Sequence, residues 1–338
     1  MVDNIRHLFI IGNGFDIAHG YDTSYSNFRK FLISRFPGCD EYDGPVPTTT
    51  IMPDGGEQYD SNMVAGYISR ILDECAGENW GNLESSLGTS VIEDIKAELY
   101  DITMDQSDNE IWQTIFVNED MSKDMKQSVA CLKDFFCEWI MKSYRRMKYG
   151  FSGFLLKDAI KRSADYKTDI AEVLSEGDGF LNFNYTLTLE KVYEIRKDLI
   201  CHIHGIVGDD NKNIFFGHGE EIESENFYSE TGSESNLKEL KRILKKDTFE
   251  AYCKHSSFFD RIGDDLVDIH SFGFGFSDVD LYYVRRIAEK IKNKSVVWYI
   301  NKYDDEMRNK KSYEGQQFKK QLDKIVKMGF EVEVDSRW

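Results

Sequence analysis

Several features that would classify this chain quickly are missing from it. No stretch approaches the roughly 18 uninterrupted apolar residues of a membrane helix. Met1-Val2-Asp3-Asn4 leads into the first apolar segment with no basic region and no cleavable apolar one, so no secretory signal is expected. Positive charge is scarce. Lys and Arg number 42 against 60 Asp and Glu, a formal net charge of -18, which repels phosphate backbones and membrane surfaces and argues against general nucleic-acid binding. The six cysteines contain no CxxC pair, which excludes a tetracysteine zinc site and leaves reduced core thiols. No internal repeat or low-complexity tract stands out. The expectation is a soluble cytoplasmic protein that does not engage membranes.

The 338 residues, 41% of them hydrophobic, suffice for one large α/β domain with a substantial insertion, or for two domains. The opening run His7-Leu8-Phe9-Ile10-Ile11 is apolar without alternation, the pattern of a strand covered on both faces. It flows into Gly12-Asn13-Gly14, where two glycines allow a sharp turn, a close approach to a ligand, and amides free for phosphate oxygens. The third glycine of the dinucleotide fingerprint is absent, so this turn alone fits a ligand loop or a plain strand-to-helix turn. Ser24 can cap a helix carrying Tyr25, Phe28, Phe31 and Leu32. From Pro37 to Gln58, with Pro45, Pro47 and Pro53 among glycines and threonines, the chain reads as a surface loop, either a lid or a connector.

Residues 61–175 show helical spacing and almost no strand signal, for example Met125, Val129, Leu132, Phe136, Trp139 and Ile140. They read as a helical subdomain attached to a sheet formed by 1–60 and 176–338. Further strands are expected at 179–184, 199–204, 213–216, 267–272, 295–300 and 330–334, with helices at about 186–197, 235–262, 278–291 and 313–327. This alternation predicts an α/β fold with a doubly wound, mostly parallel, Rossmann-like sheet and a helical insertion subdomain. Four polar clusters fall just past strand ends, where such a sheet places its ligand. They are Gly12–Asp16, Asn182–Thr186, His202–Gly205, and Gly273–Asp280.

Each cluster also has a plainer reading. Asn184 can satisfy turn amides alone. His202 and His204, two apart on one face of an extended strand, can join His218 and a carboxylate around a metal or be hydrogen-bonded core residues. Glu84 and Glu190 read first as helix-packing or solvent-facing residues. Ser277 and Asp280 have capping-box spacing, and Asp278 and Asp280 suit the positive end of the following helix.

The string Gly12-Asn13-Gly14-Phe15-Asp16-Ile17-Ala18-His19-Gly20, with Thr23–Phe28, resembles the signature of the AbiH family of phage abortive-infection proteins. So do Trp80–Glu84, Phe183–Glu190, His202–Gly205, Phe216–Gly219 and Ser271–Leu281. The pattern is also distantly similar to sirtuin-like NAD-binding domains of bacterial antiviral defence. That resemblance implies an antiphage protein that hydrolyses NAD+ to nicotinamide and ADP-ribose and needs no further cofactor. Asn184 and His204 would be catalytic, with His204 as general base and Asn184 holding the ribose or the water. Gly12, Asn13, Gly14, Phe15, Asp16, Tyr185, Gly205, His218, Gly273 and Asp278 would surround the dinucleotide. A phage-derived trigger and a homo-oligomer are the other partners implied. Thr186 stands where the sirtuin motif carries an aspartate, Gly275 where related chains often carry a serine, and the sirtuin zinc cysteines are missing. The first means that nicotinamide recognition differs or is absent, the second weakens any assignment there, and the missing zinc cysteines disfavour deacylation and leave NAD+ hydrolysis the better candidate. The alternative reading is a non-catalytic sensor of a nucleotide or phage component that signals through assembly.

Overall fold

The computed structural model describes residues 4–75, 83, 84, 86–88, 90–105, 111–150, 177–208, 213–219, 231–291 and 296–335. In chain order the elements are β1 (His7–Ile11), α1 (Asn13–Ala18), α2 (Tyr25–Arg35), β2 (Thr49–Ile51), β3 (Glu57–Tyr59), α3 (Ser61–Cys75), α4 (Ser90–Asp105) and α5 (Ile111–Gly150). There follow β4 (Asp178–Asn182), α6 (Thr188–Val192), β5 (Ile200–His202), α7 (Glu234–Leu244), α8 (Thr248–Lys254), α9 (Ser256–Phe259) and β6 (Asp268–Phe272). The chain ends with α10 (Leu281–Lys290), β7 (Val297–Ile300), α11 (Lys302–Arg308), α12 (Tyr313–Lys327) and β8 (Glu331–Val334).

Among the described residues one sheet runs β5-β4-β1-β6-β7-β8, and every neighbouring pair in it is parallel. Counting only these strands, the order is 3-2-1-4-5-6, that of the dinucleotide-binding folds, with its reversal between β1 and β6. The unbroken apolar run of β1 serves both faces. Leu8 and Ile10 join a core that includes Leu181, Ile269 and Trp298 of the strands and Phe259, Tyr283, Ile287, Leu322 and Ile325 of the helices. Ile11 and Phe9 pack instead with Phe180, Leu189, Ile195 and Leu199.

The chain divides into two compact units, one of Met1–Thr23, Ile140–Phe215 and Asp247–Trp338 and the other of Ser24–Trp139 and Phe216–Lys246. The second, largely helical unit thus begins at Ser24, ahead of the composition change near 61. The reason is aromatic packing: the Phe28 ring lies 5.0 Å from Trp139 and 6.5 Å from Phe136. Phe216 stacks on Phe136 at 4.3 Å, which draws 216–246 into the same unit. Residues 151–175 of the expected helical segment, and Trp80, Gly81 and Asn82 of the motif ending at Glu84, lie outside the described residues.

Several local expectations differ: the loop expected over 37–58 carries β2, paired antiparallel with β3, and the helix expected over 186–197 runs only over Thr188–Val192. Asn213–Phe216 forms no strand; the ladder there is a single bridge between His218 and Lys245. The helix expected over 235–262 is broken, because Asp247 accepts from the Glu250 amide and starts a new helix. Ser24 occupies the cap position of α2 without a side-chain cap bond, its hydroxyl meeting Ser26 Oγ at 3.0 Å.

Glu84 packs inside the helical unit as half of an ion pair. Lys246 Nζ lies 2.7 Å from Glu84 Oε1, with the two side chains 0% and 5% exposed. Removing one partner strands a buried charge, so Glu84→Gln is expected to lower stability by about 3 kcal/mol, seen as a lower urea midpoint. The double change Glu84→Gln with Lys246→Met should recover most of that loss. An unchanged midpoint in Glu84→Gln would show that the pair adds nothing.

Candidate functional site

At the reversal point the β1 turn packs directly on the chain leaving β6. Gly12 N donates to Phe272 O at 2.9 Å, Gly14 N to Gly273 O at 3.0 Å, and Phe15 N to Gly12 O at 2.9 Å. These three amides are therefore engaged by backbone, contrary to the expectation that they stand free for phosphate. The glycines answer a packing demand instead. A Cβ on Gly12 would lie 2.5 Å from Gly273 O, and one on Gly14 would lie 2.7 Å from Gly273 Cα. Asn13 fixes the turn from outside, its Nδ2 donating to Thr23 O at 2.9 Å. The Phe15 ring lies 4.3 Å from His19 and 5.8 Å from Tyr193.

Asn184 meets this turn from the end of β4. Its Nδ2 donates to Gly12 O at 3.0 Å, and its amide donates to Asn182 Oδ1 at 3.0 Å. Asp16, 1% exposed, accepts from Thr186 Oγ1 at 2.7 Å and Thr188 Oγ1 at 2.8 Å. Thr186, in the place of the expected aspartate, thus holds an aspartate supplied by α1. Burial pushes the Asp16 carboxyl up to about 6, against the pull of Thr186, Thr188, Asn184 and His202.

The folded state therefore holds this proton more tightly than the unfolded chain, whose value is near 3.8. The contribution is fully present below that value and disappears as the pH rises through about 6. Between about pH 4 and about pH 8 the wild type is expected to lose roughly 2 kcal/mol more stability than Asp16→Asn. Denaturant midpoints across that range measure it, and parallel curves for the two proteins would refute it.

His202 and His204 meet different neighbours, because β5 ends at His202 and the chain turns, with Gly205 at φ +85°. A Cβ on Gly205 would lie 2.7 Å from Asn213 O. His202 Nε2 donates to Glu190 Oε1 at 2.8 Å, and its Nδ1 accepts from Asn182 Nδ2 at 3.4 Å. His204, 2% exposed, lies among the rings of Phe183, Tyr185 and Tyr283 at 5.2 to 5.9 Å. Its Nδ1 donates to Phe183 O at 3.2 Å, and its Nε2 faces Asp280 Oδ1 at 3.3 Å. The Tyr185 hydroxyl donates to Phe215 O at 3.0 Å.

Of the capping box expected before α10 only the Ser277 half forms, and Asp280 itself stands at the helix N-cap without a side-chain cap bond. Ser277 Oγ accepts from the Asp280 amide at 3.3 Å and donates to Asp280 Oδ2 at 2.9 Å. That leaves Oδ1 turned to His204, a contact the spacing alone did not reveal. Asp278 instead pairs with Lys324 and is exposed. Glu190 was read as a packing or surface residue and is in fact the partner of His202. His218 belongs to the other unit, where its Nε2 donates to Lys241 O at 3.3 Å and burial lowers its pKa. Among the described residues no three His, Cys, Asp or Glu side chains gather as a metal site, so the metal alternative finds no support there. None of the described helices is long and apolar enough to cross a membrane.

At the carboxyl end of the edge strand β5 the sheet unit thus holds two imidazole–carboxylate pairs, His202 with Glu190 and His204 with Asp280. Such pairs can move a proton and favour a nearby cation. Compared with known families, residues 8–302 match a model described as bacteriophage abortive infection AbiH. No curated protein and no solved structure matches.

Proposed function

Since this chain belongs to the bacteriophage abortive infection AbiH family, and so has a role in bacterial antiphage defence, we propose that it acts by hydrolysing NAD+ to nicotinamide and ADP-ribose. The observation that carries this reading is the setting of His204 at the carboxyl edge of a 3-2-1-4-5-6 sheet. Phe183 O can only accept, so Nδ1 keeps its proton and Nε2 is the nitrogen that exchanges one. The 3.3 Å between Nε2 and Asp280 Oδ1 exceeds the 2.7–2.9 Å typical of a tight charge-assisted bond. Both atoms are buried, so hydrolysis requires this contact to open and admit water.

The chemistry needs little more. The bond from the ribose C1′ to the pyridinium nitrogen breaks with its electron pair leaving on nicotinamide, which departs neutral and needs no proton. Water attacks C1′ as positive charge develops on the sugar, and its proton passes to Nε2. Asp280 stabilises the imidazolium. Asn184, its Nδ2 held by Gly12 O, meets the ribose or the water through its amide oxygen. Gly12, Gly14 and Gly273 shape the turn beneath, while Asp16 holds it in place.

Purified protein is to be incubated with NAD+, alone and with extract of phage-infected cells, and nicotinamide release followed by chromatography. Release that depends on the protein is the expected result. No release under either condition would overturn hydrolysis. The second reading is a binding module that signals through assembly. Calorimetric binding of NAD+ without nicotinamide release would favour it.

A further inference from the structure

Glu190 holds a carboxylate whose bonding is half complete. Oε1 accepts from His202 Nε2 at 2.8 Å, in a side chain 9% exposed. Oε2 is buried and has no hydrogen-bond donor among the described residues. A buried carboxylate oxygen without a donor is unfavourable. The group is nevertheless fixed, because His202 is held on its other nitrogen by Asn182, Asn182 by the Asn184 amide, and Asn184 by Gly12 O. The orphan oxygen is thus built into the network that joins the carboxyl ends of β1, β4 and β5.

We infer that Glu190 Oε2 is a ligand contact: it accepts a hydrogen bond from a hydroxyl of the adenosine ribose and so selects dinucleotides with a free 2′-hydroxyl. This rests on the reading that the sheet edge takes NAD+. His204 and Asn184 are assigned to the ribose that reacts, whereas Glu190 is set off from Asn184 by Asn182 and His202 in the same network, which leaves the second ribose for it. A carboxylate oxygen needs a donor. A sugar hydroxyl supplies one, whereas a 2′-phosphate brings only acceptors and a like charge.

The test is calorimetric titration of the full chain with NAD+, with NADP+, and with the NAD+ analogue bearing hypoxanthine in place of adenine, which removes the adenine amino group. NAD+ and the hypoxanthine analogue are expected to bind alike, and NADP+ at least about tenfold more weakly. Glu190→Gln, which keeps the size and drops the charge, is expected to bring the NAD+ to NADP+ preference close to unity. Equal binding of NAD+ and NADP+ by the wild type overturns the inference, as does an unchanged preference in a folded Glu190→Gln. A marked loss with the hypoxanthine analogue overturns it in favour of the adenine amino group. Should Glu190→Gln fail to fold, the wild-type ratio decides alone.

The two readings fail separately. Discrimination without nicotinamide release leaves Glu190 in place and removes hydrolysis. Equal cleavage of both dinucleotides does the reverse, and binding of neither removes both.

Discussion

Gly273→Ala is expected to abolish folding of the sheet unit, the largest effect of any single methyl group considered. Gly273 sits at φ +59°, and a Cβ there would lie 2.2 Å from Phe15 N and 2.4 Å from Gly14 C. Both obstacles are backbone, so no side chain can swing aside. The left-handed conformation alone costs an alanine roughly 1–2 kcal/mol. Relieving the overlap must also part the β1 turn from the β6 exit and break the bonds from Gly12 N to Phe272 O and from Gly14 N to Gly273 O. The total is expected to exceed about 5 kcal/mol, comparable with the stability of a whole domain. Circular dichroism and urea unfolding would show an unfolded or insoluble variant. Gly275→Ala is the control: nothing lies within 4 Å of its Cβ, and its midpoint should move by no more than about 0.5 kcal/mol. A Gly273→Ala protein with the wild-type midpoint would mean that the turn is not packed as described.

That contact marks how far the sequence could be read. The two glycines bracketing Asn13 announced a close approach, but the approaching group is a backbone 261 residues further along, as the pairing of His7 with Asp268 places it. Only the parallel register of β1 and β6 brings it there. The existence of β1 and of helix Tyr313–Lys327 was legible because local pattern decides both: continuous apolar residues in one, helical spacing after Ser312 in the other. Ser312 accepts from the Gly315 amide at the start of that helix, a cap that was not read from the sequence. The 3-2-1-4-5-6 order was not legible, since apolar strands of similar length carry no label for their neighbours.

The same limit shaped the site. Asn182, Asn184, His202 and His204 stood out as polar residues at strand ends, and the structure does bring them to one edge of the sheet. Their partners were hidden in roles that local sequence explains equally well. Asp280 has capping-box spacing from Ser277, whose hydroxyl bonds one of its oxygens, and the other oxygen's contact with His204 depends on tertiary packing. Glu190 sits on a single helical turn, where a surface position was the natural expectation. The His202 and His204 pair shows the converse error: alternation along a strand put both on one face, but the strand ends between them.

His204→Ala is expected to lower nicotinamide release from NAD+ by up to about 10⁴-fold, with calorimetric affinity for NAD+ nearly unchanged. The split follows from the geometry. In the proposed hydrolysis His204 acts on the water rather than on the dinucleotide, so its loss would remove an interaction made in the transition state and leave ground-state binding alone. Asp280→Asn keeps an oxygen to accept from Ser277 Oγ but loses the charge that faces Nε2, and should reduce turnover less than His204→Ala does. Because the two groups act as one pair, the double variant should be no slower than His204→Ala by itself. A purely structural pair predicts a different pattern. His204 is buried among three aromatic rings, so its truncation would then lower the unfolding midpoint and affect binding and turnover together. Additive losses in the double variant, or full turnover in a folded His204→Ala protein, would remove the proton-transfer role from this pair.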